Sequence, residues 1–392
     1  MANTLNNYKP QMWAQEALMY LRQKTGFAAK VFRGYEQERA GFQNRGDVIS
    51  FRRPQELVAQ DIFSSAPNAQ DIDTPNLSLT LDKHQAVMFQ VSDKDLAFAG
   101  ERLISEHVAP AMDAIGQKVD GDIASAMAAA SPFVVDHGGY AADPAKVLAT
   151  VRQQMVENKA PLESLCYAAS PATMTELLSD ARFAAYEGAA GSGVATQTSG
   201  VLGRKYGFDW HESLSLPVGT VANVTISDAE GAIDAAAGAG ATSVVVDGFG
   251  AAQDLAGQLI TIGDERYLVV SGTTGGAAGT EATLTLATGL RKPVADGDVV
   301  TILADLNPGF TAKTQDIVFS PKSTALVVAP LPMHASNMGA NVFTAQDPES
   351  GLSVRARMNY DNPNGNVNVI FDVLYGIKVL DERQIIRVVD VA

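Results

Sequence analysis

Two runs of alternating apolar and polar residues near the C-terminal end constrain the fold of this chain more than any other feature. The apolar positions are Leu352, Val354, Ala356, Met358 and Tyr360 in the first run, and Val367, Val369, Phe371, Val373 and Tyr375 in the second. A period of two residues is typical of strands that bury one face. Asn364-Gly365 lies between the runs and favours a tight turn, because both central residues of a type I′ turn need positive φ. The sequence therefore predicts an antiparallel hairpin with strands at about 352–362 and 366–377.

A two-residue turn at Asn364-Gly365 would also set the register of this hairpin. The predicted cross-strand partners are Met358 with Phe371, Tyr360 with Val369, and Arg357 with Asp372. Apolar residues then face apolar residues and a cation faces an anion, which is the pairing that stabilises sheets.

A long amphipathic helix is predicted in the first half of the chain. Apolar residues recur at steps of three and four, at Ile104, Val108, Ala111, Ile115, Val119, Ile123 and Met127. The pattern indicates a helix with Ser92 as its N-cap and an interruption or kink near Pro110. The polar residues between the apolar ones are predicted on the opposite face, namely Asp113, Gln117, Lys118 and Asp120. Two further helices are predicted to begin at Asp143-Pro144 and Ser170-Pro171, where a capping residue precedes proline.

Two other stretches combine strand patterns with turns. Strands predicted at 48–53 and 77–81 flank the polar, turn-rich residues 55–76, which indicates a projecting loop. Between Pro217 and Asp305, short apolar runs are separated by Gly-, Asp- and Ala-rich turns. This pattern predicts a small antiparallel barrel or sandwich, inserted into another domain because mixed helix and strand patterns resume after it.

The charge of the chain is acidic overall but unevenly distributed. The net charge of −15 argues against a dedicated nucleic-acid binder. Residues 1–60 nevertheless carry nine Lys or Arg against five acids, whereas residues 218–303 carry ten acids against three bases. We therefore hypothesise that the basic N-terminal residues, including Lys24, Lys30 and Arg33, lie on an inner surface or in subunit contacts, with the acidic segment facing outward.

No catalytic, cofactor-binding or metal-binding residues are predicted. The five histidines are dispersed without metal-ligand spacing, and Cys166, the single cysteine, is interpreted as a small buried apolar residue. The glycine cluster at 188–193 lacks the lysine of a P-loop and the spacing of a dinucleotide fingerprint, so a flexible loop is predicted there. Neither a secretory signal nor an apolar run long enough to span a membrane is present in the sequence.

Four segments carry a resemblance to a known family, the major coat proteins of tailed double-stranded DNA bacteriophages. Within that family the chain most resembles the short-tailed Salmonella-phage type, which has an inserted β-domain. The segments are 46–54, 77–96, 203–217, and 319–332 together with 371–380.

The resemblance implies an α+β fold, the tailed-phage major capsid fold, with an inserted small antiparallel β-barrel-like domain. The implied divisions are an N-terminal arm at 1–40, an extended loop at 41–85, a peripheral domain with a long spine helix at 86–135 and 345–392, an axial domain at 136–216 and 304–344, and the inserted domain at 217–303. The arm and the loop are expected to bury little on their own chain and to gain their stabilisation from neighbouring subunits.

The function implied by the resemblance is structural rather than enzymatic. A major capsid protein self-assembles into hexamers and pentamers of an icosahedral shell that encloses the phage genome. The resemblance further implies scaffolding and portal proteins as partners, non-specific contact with packaged DNA, no membrane partner, and assembly of a procapsid in the host bacterial cytoplasm on the way to the virion. The alternatives are the shell protein of a bacterial nanocompartment, a surface adhesin or tail protein, and a hydrolase whose site is not visible in the sequence.

Overall fold

The computed structural model describes residues 8–24, 26–33, 46–52, 76–92, 94, 102–136, 143–180, 183, 200, 202–221, 230–250, 252–263, 265–275, 280–303, 310–331, 341–346, 352–361 and 365–389. The helices in these residues are α1 (Tyr8–Lys24), α2 (Phe27–Lys30), α3 (Arg102–Ala130), α4 (Pro144–Glu157) and α5 (Pro171–Ser179). The strands are β1 (Val48–Arg52), β2 (Asn76–Thr80), β3 (Lys83–Ser92), β4 (Val134–Asp136), β5 (Leu165–Ala169), β6 (Arg204–Lys205), β7 (Phe208–Glu212), β8 (Val218–Val221), β9 (Glu230–Ile233), β10 (Ser243–Asp247), β11 (Leu259–Ile262), β12 (Glu265–Ser271), β13 (Ala282–Leu286), β14 (Val299–Ile302), β15 (Phe310–Thr314), β16 (Asp316–Phe319), β17 (Thr324–Ala329), β18 (Asn341–Gln346), β19 (Ser353–Asp361), β20 (Asn366–Val379) and β21 (Ile385–Val389).

The long helix α3 packs on an antiparallel sheet in which β20 pairs with β3, β17 and β19, and β19 pairs with β18. The apolar stripe predicted for the helix is confirmed in its described part, because Val108, Ala111, Ile115, Val119, Ile123 and Met127 are all buried. They share one core with residues on the inner face of the sheet, such as Phe371 and Val373. Pro110 lies inside the helix. Ser92 is the last residue of β3, and the predicted helix start lies in residues 93–101, most of which fall outside the described ranges.

The placement of Asp120 on the solvent face of this helix was wrong. Asp120 is only 5% exposed, whereas Gln117 and Lys118 are exposed as predicted. Periodicity assigns faces relative to one core, but it cannot show that a second segment of chain lies across the helix and supplies hydrogen-bond donors. Here that segment is the turn before α2 together with its first residues.

The C-terminal hairpin forms, but its register differs from the predicted one by two residues. Ala356 lies opposite Phe371 and Arg355 opposite Asp372, so Met358 is not the partner of Phe371. The terminal pair of the two strands is Asp361 with Asn366. Because the shift is an even number, each side chain stays on its predicted face.

The sequence contains the reason for the longer connection. A two-residue turn would place Pro363 in the ladder next to the turn, and proline has no N–H to donate there. The chain instead uses residues 362–365, and Gly365, the last of them, has a positive φ of 63° and donates its N–H to Asp361 O at 2.9 Å.

A second sheet, in the order β4-β21-β16-β5-β7-β6, packs against α4 and α5. Both predicted helix starts are confirmed at Pro144 and Pro171, and the Ser170 hydroxyl accepts the Thr173 N–H at 3.2 Å. Cys166 is buried in β5, as predicted, and burial raises the pKa of its thiol. This sheet shares part of its core with α3 through its other face.

The predicted small β-unit is a closed antiparallel barrel, with neighbouring strands in the order β10-β13-β12-β11-β14-β9. It has an apolar core of its own, which includes Val246, Val269, Leu284 and Val300. Outside the barrel, β8 pairs with β15, so the chain enters and leaves this region along adjacent strands.

Two segments expected to bury little on their own chain do bury apolar residues there. In α1, Trp13 is 4% exposed and Leu21 is 1% exposed within the core of α3 and its sheet. At the base of the projecting loop, Ile49 and Leu79 are buried against β17 and Leu374. Both segments are therefore anchored on their own chain, and the remaining residues of the loop, 53–75, lie outside the described ranges.

Candidate functional site

The N-terminal segment is fixed to the body through the buried carboxylate of Asp120. Its Oδ2 accepts the Gly26 N–H at 2.6 Å, and its Oδ1 accepts the Ala28 N–H at 3.0 Å. The carboxylate therefore satisfies the free donors at the start of α2, as an N-cap residue would. Burial raises the pKa of the Asp120 carboxyl, and the backbone hydrogen bonds oppose that rise.

A second group of residues holds α2 against strand β7. Lys30 Nζ lies 2.8 Å from Asp209 Oδ2. The His211 ring lies edge-on to Phe27, with ring centroids 5.2 Å apart, and neither of its nitrogens has a hydrogen-bond partner in the described part of the chain. Burial lowers the pKa of His211 to about 4, so this histidine is neutral at pH 7.

These contacts bear on the hypothesis that the basic N-terminal residues serve inner surfaces or subunit contacts. Lys30 pairs with Asp209, and the Arg33 guanidinium donates to the Ala28 carbonyl, both within the chain. The side chain of Lys24 lies outside the described residues. At least part of the basic charge therefore stabilises the attachment of the N-terminal segment to the rest of its own chain.

The barrel is joined to the body by the nearly buried Arg291, whose side chain is 7% exposed. Its Nη2 lies 2.6 Å from Glu382 Oε1 and 3.1 Å from Asp381 Oδ1, in the turn before β21. Arg266 of β12 adds a cation–π contact, with its guanidinium carbon 5.5 Å from the centre of the Phe133 ring. Such charge-assisted contacts are directional, so they orient the barrel as well as hold it.

A third charged cluster lies on the outer face of the α3 sheet, around Asp372, which is fully buried. Arg355 donates from Nε to Oδ1 at 3.0 Å and from Nη2 to Oδ2 at 2.5 Å. Arg357 Nη2 lies 2.9 Å from Oδ2, and His84 Nε2 lies 3.1 Å from the same oxygen. The cluster ties β3, β19 and β20 together across the sheet.

In the ranges that the structure describes, no group of three or more His, Cys, Asp or Glu side chains is placed to hold a metal ion. Nor does any helix of the described chain have the length and apolar character required to span a membrane. His137 and His334 lie outside the described residues.

Sequence reasoning missed Asp120, Arg291 and Asp372 as organising residues. The chain contains 44 acidic residues, and nothing in the local sequence marks the few that are buried. The one available signal was the position of Asp120 next to the apolar Val119 within a strongly apolar helix, since a charge there needs a partner when the helix is covered on two sides.

Comparison with known proteins gives a likeness at the level of the fold. No protein-family model matches the chain, and no curated protein matches it. Among solved structures, a chain from Mycobacterium phage Che8 is 13% identical, with a TM-score of 0.50 over 93% of this chain and 90% of that one. A chain from the mature capsid of bacteriophage PhiM1 is 12% identical, with a TM-score of 0.49 over 93% and 86% of the two chains. A chain from the capsid of Cyanophage P-SCSP1u is 12% identical, with a TM-score of 0.48 over 88% and 84%.

The likeness to the Che8 chain extends over about nine-tenths of both chains, so the two share a fold. The α+β fold implied by the sequence resemblance, including a small closed antiparallel barrel, is thereby confirmed.

Proposed function

We propose that this chain is the major capsid protein of a tailed bacteriophage, which self-assembles into hexamers and pentamers of an icosahedral shell around the double-stranded DNA genome. The observation that carries the proposal is the fold shared with the Mycobacterium phage Che8 chain along nearly the whole of both chains. The sequence resemblance of residues 46–54, 77–96, 203–217, and 319–332 together with 371–380, supports it independently.

We assign the divisions of the chain in the same proposal. Residues 1–40 are the arm and 41–85 the extended loop; 86–135 with 345–392 form the peripheral domain, 136–216 with 304–344 the axial domain, and 217–303 the inserted domain. The closed barrel and the pairing of β8 with β15 at its base support the inserted domain. That domain and the quoted segments support the proposal that the chain is of the short-tailed Salmonella-phage type.

The role is structural, not enzymatic. The partners are further copies of the chain, a scaffolding protein and a portal protein during assembly, and packaged DNA through non-specific contacts. Assembly takes place in the cytoplasm of the host bacterium, and the mature protein lies in the virion capsid.

The test is to express the full chain, alone and with a candidate scaffolding protein from the same source, and to image the product by negative-stain microscopy. Closed particles of uniform size, built from fivefold and sixfold clusters, are the expected result. Particles that package a protein cargo but never DNA would favour the nanocompartment. A monomer that turns over ester or peptide substrates would favour the hydrolase.

A further inference from the structure

Strand β21 of the second sheet places a cation, Arg387, at a core position. Arg387 is only 4% exposed. It lies opposite Ile317 of β16 and two residues after Ile385, and both isoleucines are buried in the core that the sheet shares with α3. Paired residues, and every second residue of a strand, point to the same face of a sheet. The Arg387 side chain therefore lies on the α3 side of the sheet.

This buried cation has no anion beside it in the described ranges. Its Nε and Nη2 are fully buried and have no hydrogen-bond partner among the residues that the structure describes. Burial lowers the pKa of the guanidinium to about 10, and no carboxylate of the described chain counteracts that effect. Arg387 is therefore still charged at pH 7. A buried charge without a counter-ion is strongly destabilising, so such charges are normally paired.

The two nitrogens without partners form one edge of the guanidinium. The Nε–H and one N–H of Nη2 point in the same direction, with a spacing that matches the two oxygens of a carboxylate. The chain uses this edge elsewhere: Arg355 donates from Nε to Asp372 Oδ1 at 3.0 Å and from Nη2 to Oδ2 at 2.5 Å. No group of the described chain engages the same edge of Arg387.

A second polar side chain without a partner lies near Arg387. Gln315 directly precedes β16, two residues before Ile317, so alternation places it on the same face as Arg387. It is 5% exposed, and its Oε1 is fully buried without a hydrogen-bond partner in the part of the chain that the structure describes. Rotation about the last side-chain bond exchanges the oxygen and the NH₂ of the amide. Gln315 can therefore add an N–H donor to the two of Arg387.

We propose that Arg387 and Gln315 form a buried binding site for one small oxyanion of the carboxylate class, held by both nitrogens on the free edge of the guanidinium. The near-complete burial of both side chains favours an ion of a few atoms over a peptide or a nucleic acid. The anion neutralises the cation between the sheet and α3, so the free energy of unfolding of the chain depends on its concentration. This inference does not rest on the proposed function, because the site lies within one chain.

Titration of the purified full chain with sodium formate tests the site directly. Calorimetry in a buffer free of carboxylates and phosphate should show one formate bound per chain. Arg387→Met should abolish binding, and Arg387→Lys should weaken it about tenfold or more, because lysine keeps the charge but loses one of the two hydrogen bonds. The matched control is Lys292→Met, which removes an exposed cation of the barrel and should bind formate as the natural chain does. Inorganic phosphate, which is tetrahedral, should bind more weakly than formate.

Thermal melting gives a second readout, with the ionic strength held constant by sodium chloride. Without formate, Arg387→Met should melt at the same temperature as the natural chain or higher, because an apolar side chain replaces a buried charge that lacks a counter-ion. With formate at about one hundred times its dissociation constant, the melting temperature of the natural chain should rise by about 3 °C or more. The melting temperature of Arg387→Met should not change.

Three results would overturn the inference. A natural chain that neither binds formate nor gains stability from it would mean that water, or a carboxylate of the chain itself, satisfies Arg387. Equal stabilisation of the natural chain and Arg387→Met would indicate a general salt effect. Tighter binding of phosphate than of formate would exclude the carboxylate class. If Arg387→Met fails to fold, Arg387→Lys and Gln315→Leu take its place, and unchanged formate binding by both of these variants would refute the site.

Discussion

At the scale of single residues, Asp316 is a buried acid whose protonation affects folding. Its Oδ1 accepts the Ser170 N–H at 2.8 Å, just before α5. Burial raises the pKa of the carboxyl to about 6, above the ordinary value of 3.8. The native state therefore binds this proton more tightly than the unfolded chain does. Its contribution to stability is complete below about pH 4 and is lost as the pH rises through about 6.

The substitution Asp316→Asn should remove this dependence while keeping an acceptor for Ser170. The free energy of unfolding of the natural subunit, relative to the variant, should fall by about 2–3 kcal/mol between pH 4 and pH 7. Urea unfolding across that range measures it. The exposed Asp296→Asn on the barrel is the control and should follow the natural protein. Parallel profiles for Asp316→Asn and the natural subunit would contradict the prediction.

The pH dependence of stability that comes from His211 has the opposite sign to that of Asp316. Burial lowers the pKa of His211 to about 4, below its ordinary 6.5, so the unfolded chain binds the proton more tightly. The stability that this histidine contributes is present above about pH 6.5 and is lost as the pH falls towards 4. Replacing it by Phe, between Phe27 and Phe319, should reduce the acid sensitivity of the subunit by about 1–3 kcal/mol. Thermal melting of the natural protein and the His211→Phe variant at pH 7.5 and pH 5 measures this. If both lose the same stability between the two pH values, the prediction is wrong.

At the scale of elements, the sequence predicted which segments form strands and helices better than how they pair. The alternating runs before and after Asn364-Gly365 define which residues share a face of the sheet. The register does not change this, because an even-numbered shift keeps every side chain on the same face. The register itself depended on the turn, and there Pro363 outweighed the Asn-Gly signal. The apolar stripe of α3 could be predicted because it depends only on the local spacing of apolar residues. The burial of Asp120 depends instead on α2, which is far away in sequence.

Gly365 allows a direct test of the observed connection. Its φ of 63° is in the left-handed region, where a Cβ is unfavourable. Gly365→Ala should therefore destabilise the subunit by about 1 kcal/mol. The matched control is Gly238→Ala, at an exposed site where an added Cβ meets no atom within 4 Å. This control should be neutral or slightly stabilising in the same urea titration. Equal effects of the two substitutions would argue against the left-handed turn.

At the scale of the whole molecule, the arm and the loop base are stabilised before any neighbour is present. Trp13 and Leu21 are buried under the body, and Lys30 has a partner in Asp209. Neutralising Lys30 and Arg33 should therefore lower the stability of the free subunit, because both side chains have contacts within their own chain besides the inner-surface or subunit contacts hypothesised from the sequence. Composition revealed the excess of basic residues but could not show that some of them have partners within the chain.

The extended loop is where the fold and the proposed function are most directly connected. Ile49 and Leu79 fix its base on β17 and Leu374, so the loop can be shortened without disturbing the core. Replacing residues 57–74 with a short Gly-Ser linker should leave a soluble subunit with an unchanged melting temperature that fails to form regular closed particles. The reason is that, in the proposed function, this loop gains its stabilisation from a neighbouring subunit, whereas the anchored base keeps its own contacts with β17 and Leu374. A Gly-Ser replacement within residues 187–200, already rich in small residues, is the control and should assemble. Sedimentation and negative-stain microscopy distinguish the outcomes, and regular particles from the shortened loop would show that its contacts are dispensable for assembly.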